Sequence, residues 1–468
     1  KLLPWSHERV SYSAEPEVEF YDGGVNIRGL PAVVWSHPLS NRGFGYLATD
    51  SGSGYVWYYN ARENKICEWV NDPLAVAGPE TLEVLVDGEA HSLFARDEQS
   101  RVRFLPGAAI WERELPGLRT RLTAYVHPHV NARVMMIELR GESAQSARLR
   151  WYMSLQMGER PDRQVTTVFS AQKRVIYAKN GANRLFAPYA FAFTSHPAPE
   201  RFTCDEADYR SGILRYKTGA GLLPCIAAEI PTEHRGEIFR AVIVCGCASQ
   251  EAALGLLTDL ADYEKAAEEL ERTLSYWRGL VSDVHIKTPD MRLNHYLNGF
   301  NAYQVIAGRL FARTSMYQSS GAYGFRDQLQ DALSLLALPP HEERYRLVRV
   351  QLLRAAAHQY LEGDVQHWWH PDRRHDRLVS ERGVRTRMTD DLLFLPYTAL
   401  TYLRASGDRA FFEREAPYIR EAELEPGRLE RFGTPEKAND LRESMWGHCV
   451  RAADCFVRRG TGPSGLAL

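Results

Sequence analysis

Near residue 249 the hydrophobic period of this chain changes, and no other feature limits its fold as strongly. Upstream, short apolar runs alternate with period two and are punctuated by Gly, Pro and Asn. The run Arg119-Thr120-Arg121-Leu122-Thr123-Ala124-Tyr125-Val126 is the clearest, and Ala132 to Leu139 and Arg148 to Leu155 continue it. Many short alternating strands of this kind predict a large antiparallel β-sandwich. From Glu251 to Val281 the composition turns to Ala, Leu, Glu and Lys without Pro. There Leu254, Leu257, Leu260, Tyr263, Ala267, Leu270, Leu274 and Trp277 step by three or four, which predicts one long amphipathic helix. A strand-like Val284–Pro289 follows. Helical periods are then expected at 292–312, 326–338, 342–361, 389–405, 409–418 and 439–458. The expected architecture is multidomain, β then α: an antiparallel β-sandwich over 1–250, a helical linker over 251–288, and part of an α/α toroid over 289–468. Six segments are fewer than a closed double ring of helices needs, so the chain is expected to end inside that domain.

With 468 residues the chain is too long for one ordinary core. A formal net charge of -2 argues against nucleic acid or an anionic membrane as its partner, because both require an excess of Lys and Arg. A small neutral or locally bound anionic substrate fits better. The 7 cysteines are odd in number and lack a repeated CxxC spacing, so they are expected as reduced thiols in a cytoplasmic compartment. No run approaches the roughly 18 apolar residues of a membrane span, so neither a membrane segment nor a signal peptide is expected in these residues. It begins at Lys1, not Met, so preceding residues are expected.

Three stretches carry candidate chemistry. In the first, Arg313 to Asp331, a Gly-rich loop containing Tyr317 feeds a helix whose first turns hold Arg326, Asp327, Gln330 and Asp331. Asp327 and Asp331 share a face, opposite Leu329, Leu333 and Leu336. Such a polar row can line a cavity and accept hydrogen bonds from sugar hydroxyls. It can equally be a set of first-turn carboxylates favoured by the helix dipole, with Arg326 pairing to Gln330. The second stretch, Glu362 to Pro371, sets Trp368 and Trp369 between His367 and His370. The two indoles offer a platform for pyranose rings, or simple packing. An HxxH pair raises a metal, but no neighbouring ligand completes a zinc pattern, so none is assigned. In the third, Gly383 to Pro396, Thr389 reads as a helix cap. Arg385, Arg387, Asp390 and Asp391 converge there, either to hold a sugar or an anion or to serve the first turn.

Taken together these stretches resemble glycoside hydrolase family 94, whose members cleave β-glucosides with phosphate. Gly43-Phe44-Gly45, the Ser51 to Tyr55 run, Ala61-Arg62-Glu63-Asn64 and Trp69 to Pro73 are similar to its N-terminal sandwich. GFRDQLQD (324–331) is similar to its most specific motif. EGDVQHWWHP (362–371) with GVRTRMTDDLLFLP (383–396) most resembles the cyclic β-1,2-glucan synthase version. The resemblance implies that Asp327 binds the sugar at the cleavage point, with Arg326 and Arg313 beside it. It also implies a glycoside phosphorylase that uses inorganic phosphate as co-substrate, needs no cofactor, takes a β-gluco-oligosaccharide and leaves a homodimer open. Cellobiose is the less expected substrate, because the loop before GFRD is shorter here and lacks an Arg. The family's general acid follows a helix resembling Glu443 to Arg459 and is expected beyond Leu468, so no catalytic residue is assigned. An α/α-toroid hydrolase and a non-catalytic carbohydrate-binding fragment are the competing expectations.

Overall fold

The computed structural model describes residues 18–465, apart from 22, 53, 73–77, 95–96, 99, 143, 145–146, 162–163, 184–185, 187, 236, 250 and 371–380. Pro73, Pro371 and Leu468, named in the motifs above, lie outside the described residues. The N-terminal half is built from antiparallel strands. The largest sheet has eleven, with Leu118–Val126, Ala132–Arg140 and Ile238–Ala248 adjacent at its centre. A five-stranded sheet centred on Arg148–Ser154 packs across it. A three-stranded sheet, Ser36–Ser40, Phe44–Thr49 and Tyr55–Tyr58, completes the layer.

Alternation sets this register. Leu122 lies opposite Ile137, and both are buried among Trp151, Leu82 and Val84 of the facing sheet. The central strands are apolar on their other face too, because helices cover it: Tyr125, Val134, Val242 and Val244 pack under Leu257, Leu260 and Ala266. An ionic contact joins the sheets. Arg133, fully buried, donates from Nη1 to Glu80 Oε2 at 2.7 Å, and Glu80 Oε1 accepts from Trp151 Nε1 at 2.6 Å.

The expected single helix over 251–281 is two, Glu251–Asp259 and Tyr263–Val281. Asp262 is extended and its side chain accepts from Lys265 N–H, so a cap interrupts a continuous apolar period. Val284–Pro289 forms no strand. The segment expected as one helix at 292–312 is broken at Gly299 (φ 123°) and ends in wide, π-type turns over Gln304–Ala312.

Beyond it, Phe325–Leu336 packs against Glu342–Ala356 and Asp391–Ser406, and the last packs on Met445–Arg459. Leu329, Leu335, Leu352, Leu395 and Cys449 share their core. The buried side of Phe325–Leu336 runs Phe325, Gln328, Leu329, Ala332, Leu335, so Leu333 and Leu336 are only partly covered. Two small sheets interrupt the helices. Tyr323–Gly324, Gln366–Trp369, Gly383–Thr386 and Glu430–Gly433 form one. Glu415–Arg420 pairs with Glu436–Ser444 in the other. The expected helix at 409–418 is therefore a short 3-10 turn, Arg409–Glu413, followed by a strand, and 439–444 is strand before the last helix begins.

The halves meet along the three-stranded sheet. Tyr303 Oη donates to Pro38 O at 2.6 Å and Ser40 Oγ to Ala307 O at 2.8 Å. His37 stacks between Phe104 and Tyr303, with ring centroids at 5.1 and 4.9 Å.

Candidate functional site

Where the sandwich hairpin, the Gly-rich loop and the Gln366–Trp369 strand converge they enclose a cleft of about 690 Å³. The loop is fixed from below by Arg313. This residue ends the Gln304–Ala312 helix in the left-handed region, at φ 51°. Its guanidinium is engaged throughout: Nε donates to Gly321 O, Nη1 to Phe311 O and Tyr323 Oη, and Nη2 to Tyr59 O at 2.9 Å. Arg313 borders the cleft with Asp327, as expected, while its donors tie sandwich to loop. Gly321, at φ 61°, has no room for a side chain, since a Cβ would lie 2.0 Å from Asn60 Oδ1.

Gly324 then opens the helix that carries Asp327. Among the described lining residues Asp327 is the only carboxylate, and Arg62, Arg309, Arg313 and Arg326 line the same space. Asp331, one turn further, is not part of the lining. Its carboxylate takes Arg309 Nε at 3.1 Å, and burial raises its pKa. Gln330 points into solvent, while Gln328, not singled out from the sequence, borders the cleft and donates to Arg309 O at 3.1 Å. The expected acidic row thus reduces to Asp327, because the polar stripe drifts round the helix away from the cavity. Arg326 pairs with Asp390 (2.7 Å) and not with Gln330. Tyr317, 64% exposed, stands at the rim.

The Trp pair divides. Adjacent residues on a strand face opposite ways, so Trp368 borders the cleft while Trp369, 1% exposed, stacks on His358 at 3.8 Å inside the helical core. Trp369 is therefore packing and not platform. His367 donates Nδ1–H to Asp391 Oδ2 at 2.5 Å, and this bond raises the histidine's pKa. His370 stands 3.2 Å from Arg62 Nη1, and burial with the neighbouring Arg62 and Arg382 lowers its pKa to about 4. Arg387 is turned away, donating to Arg428 O and Leu424 O at 2.9 Å. Asp390 itself, and not Thr389, immediately precedes the Asp391–Ser406 helix, and it makes no side-chain cap.

Sequence reading missed the sandwich's contribution. Arg62 and Asn71 border the cleft, and Asn71 Oδ1 accepts from Ser319 N–H at 3.1 Å across 248 residues of sequence. The Ala61-Arg62-Glu63-Asn64 turn was the available signal. A cavity with one open carboxylate, several cations and an indole suits a polyhydroxy ligand together with an anion.

The sequence profile of the glycosyl hydrolase 94 supersandwich domain matches residues 28–259, and that of the glycosyl hydrolase 94 superfamily catalytic domain matches 276–467. Cyclic beta-(1,2)-glucan synthase NdvB of Rhizobium meliloti (strain 1021) is 28% identical over 486 residues, covering 95% of this chain and 16% of that protein. Solabiose phosphorylase of Paenibacillus borealis is 27% identical over 175 residues, covering 36% of this chain and 19% of that one. The chain thus spans under a fifth of the length of either relative. A bacterial glucoamylase complexed with acarbose is similar in fold alone, with a TM-score of 0.51 at 9% identity over 84% of this chain and 60% of its own. Both halves of the chain, sandwich and helices, belong to the glycosyl hydrolase 94 superfamily.

Proposed function

We propose that the cleft holds a β-linked gluco-oligosaccharide on Asp327, and that the protein acts as an inverting glycoside phosphorylase yielding α-glucose 1-phosphate. The observation that carries this reading is Asp327 itself: an open carboxylate set among four arginines and beside Trp368. A carboxylate accepts hydrogen bonds from vicinal hydroxyls, an indole covers a pyranose face, and the surrounding cations suit an anionic co-substrate. In inverting phosphorolysis one carboxylic acid protonates the glycosidic oxygen while phosphate attacks the anomeric carbon from the opposite face. One catalytic carboxyl suffices, because phosphate brings its own nucleophilic oxygen. Asp327 is assigned to binding, and no residue of this chain to general acid. Phosphate is a co-substrate, and the chemistry calls for no cofactor.

The likeness to a cyclic beta-(1,2)-glucan synthase supports β-1,2 as the linkage in this reading. We take the neighbour-to-neighbour packing of the four long helices as the first part of an (α/α)6 toroid. The free, buried cysteines favour a cytoplasmic setting. No helix among the described residues is long and apolar enough to cross a membrane.

The test incubates a polypeptide that carries this chain and continues past Leu468 with β-1,2-gluco-oligosaccharide and inorganic phosphate. Phosphate-dependent release of glucose 1-phosphate is the expected result. Sugar release independent of phosphate indicates a hydrolase, and binding without turnover a carbohydrate-binding module; either overturns the phosphorylase reading.

A further inference from the structure

The adjacent aspartates 390 and 391 serve different neighbours, and neither borders the cleft. Asp390 Oδ2 accepts from Arg326 Nη1 at 2.7 Å. Asp391 Oδ2 accepts from His367 Nδ1–H at 2.5 Å. Asp391 is 1% exposed, and its Oδ1 has no hydrogen-bond partner among the described residues. It opens the Asp391–Ser406 helix, whose free N–H groups favour a negative charge at that end. Arg326 and His367, by contrast, both border the cleft beside Asp327. Asp391 therefore stands buried behind the wall, while Asp390, half exposed, pairs with Arg326 outside the cleft; each holds one of the groups that form it.

From this arrangement we infer that Asp391 is a positioning residue: it fixes the His367 ring and holds it as an imidazolium, so that Nε2–H is a charged donor to a ligand oxygen next to Asp327. The inference rests on the reading of the cleft as a sugar site. Its chemistry follows from the two ring nitrogens. With Nδ1–H given to Asp391, a neutral ring leaves Nε2 an acceptor, whereas a protonated ring makes it a donor. A buried carboxylate this close to the ring favours the protonated form. Of the charged groups around the ring, Asp391 and Asp327 reinforce the proton and Arg326 opposes it. Arg62, Arg313 and His370 border the same cleft. Two acceptors share the required chemistry, a sugar hydroxyl oxygen and an inorganic phosphate oxygen.

The test begins with a histidine titration that needs no ligand. In the 468-residue chain labelled at histidine Cε1, the His367 signal is the one of fifteen lost in His367→Gln. It is expected to titrate above the ordinary histidine value, and in Asp391→Asn to fall back to about 6.5 or below. An ordinary or depressed titration in the wild type overturns the inference, and that measurement stands even where Asp391→Asn does not fold. The second arm is calorimetry with β-1,2-gluco-oligosaccharide and, separately, inorganic phosphate, on either side of the measured titration. Affinity for at least one is expected to fall roughly tenfold as the ring deprotonates, the difference between a charged and a neutral hydrogen bond, and the fall is expected to vanish in His367→Gln. The ligand that responds identifies the acceptor, and pH-independent affinity for both overturns the donor role. Oligosaccharide affinity unchanged in Asp327→Ala instead removes the sugar-site reading, while leaving the Asp391–His367 titration as measured.

Discussion

Replacing Gly324 by Ala moves Asp327 without touching it chemically. Gly324 has φ -88° and ψ 131°, a conformation alanine adopts freely. An added Cβ, however, would lie 2.6 Å from Asp327 Oδ2, 3.1 Å from Cγ and 3.2 Å from Cβ. The carboxylate is the free end of a side chain, so the clash resolves by its rotation and not by unfolding. The stability cost stays near that of a weaker helix cap, at most about 1 kcal/mol. Binding is affected more. Each charge-assisted hydrogen bond that the displaced carboxylate loses to a sugar hydroxyl removes about 1.5–3 kcal/mol, roughly 10- to 150-fold in Kd. Calorimetry with β-1,2-gluco-oligosaccharide beside thermal unfolding of the same sample measures both. A folded Gly324→Ala variant with wild-type affinity would refute the idea that the position of Asp327 matters.

The two adjacent tryptophans should separate by assay. Trp369→Ala empties part of the helical core and is expected to lower stability by about 3–5 kcal/mol in denaturant titration, whereas Trp368→Ala should leave stability nearly unchanged and weaken oligosaccharide binding. Arg133→Met strands Glu80 between the sheets and should cost about 3–5 kcal/mol, with part of the loss recovered when Glu80→Leu is added, as read from the unfolding midpoints. His37, 3% exposed and stacked at the junction of the halves, has its pKa lowered to about 4, chiefly by burial. The folded state therefore binds fewer protons than the unfolded one below the ordinary histidine pKa. The stability due to neutral His37 is complete above about pH 6.5 and declines by about 3 kcal/mol as pH falls to about 4. Denaturation of wild type and His37→Gln across that range should show a shallower decline in the variant.

The broad plan of the molecule was legible because each half is strongly periodic. Alternation at Arg119–Val126 became paired strands, and the apolar step from Leu254 to Leu274 marked the helical cover of the sheet. Finer errors arose where a short-range pattern was overruled. The helical period expected at 409–418 contains Ala416 and Tyr418, which instead bury themselves in a strand against residues twenty and more positions later. Asp262 sits inside a continuous apolar period and became an N-cap, its side chain accepting from Lys265 N–H, a role that Asp favours and the apolar step alone does not reveal.

At the site, the motif around Asp327 was visible and its neighbours were not. Trp369 and Arg387 sit inside recognisable motifs, yet strand alternation and nearby carbonyls turn them away from the cleft. Arg62 and Asn71 arrive from the sandwich, more than two hundred residues upstream, through contacts that no local pattern encodes.

The most direct measurement of the central claim is a crystal structure of the chain soaked with a β-1,2-linked gluco-oligosaccharide. One glucose ring is expected with its hydroxyls within hydrogen-bond distance of the Asp327 carboxylate and near the Trp368 indole. An oligosaccharide bound elsewhere on the molecule, with the cleft beside Asp327 holding only water, would contradict it.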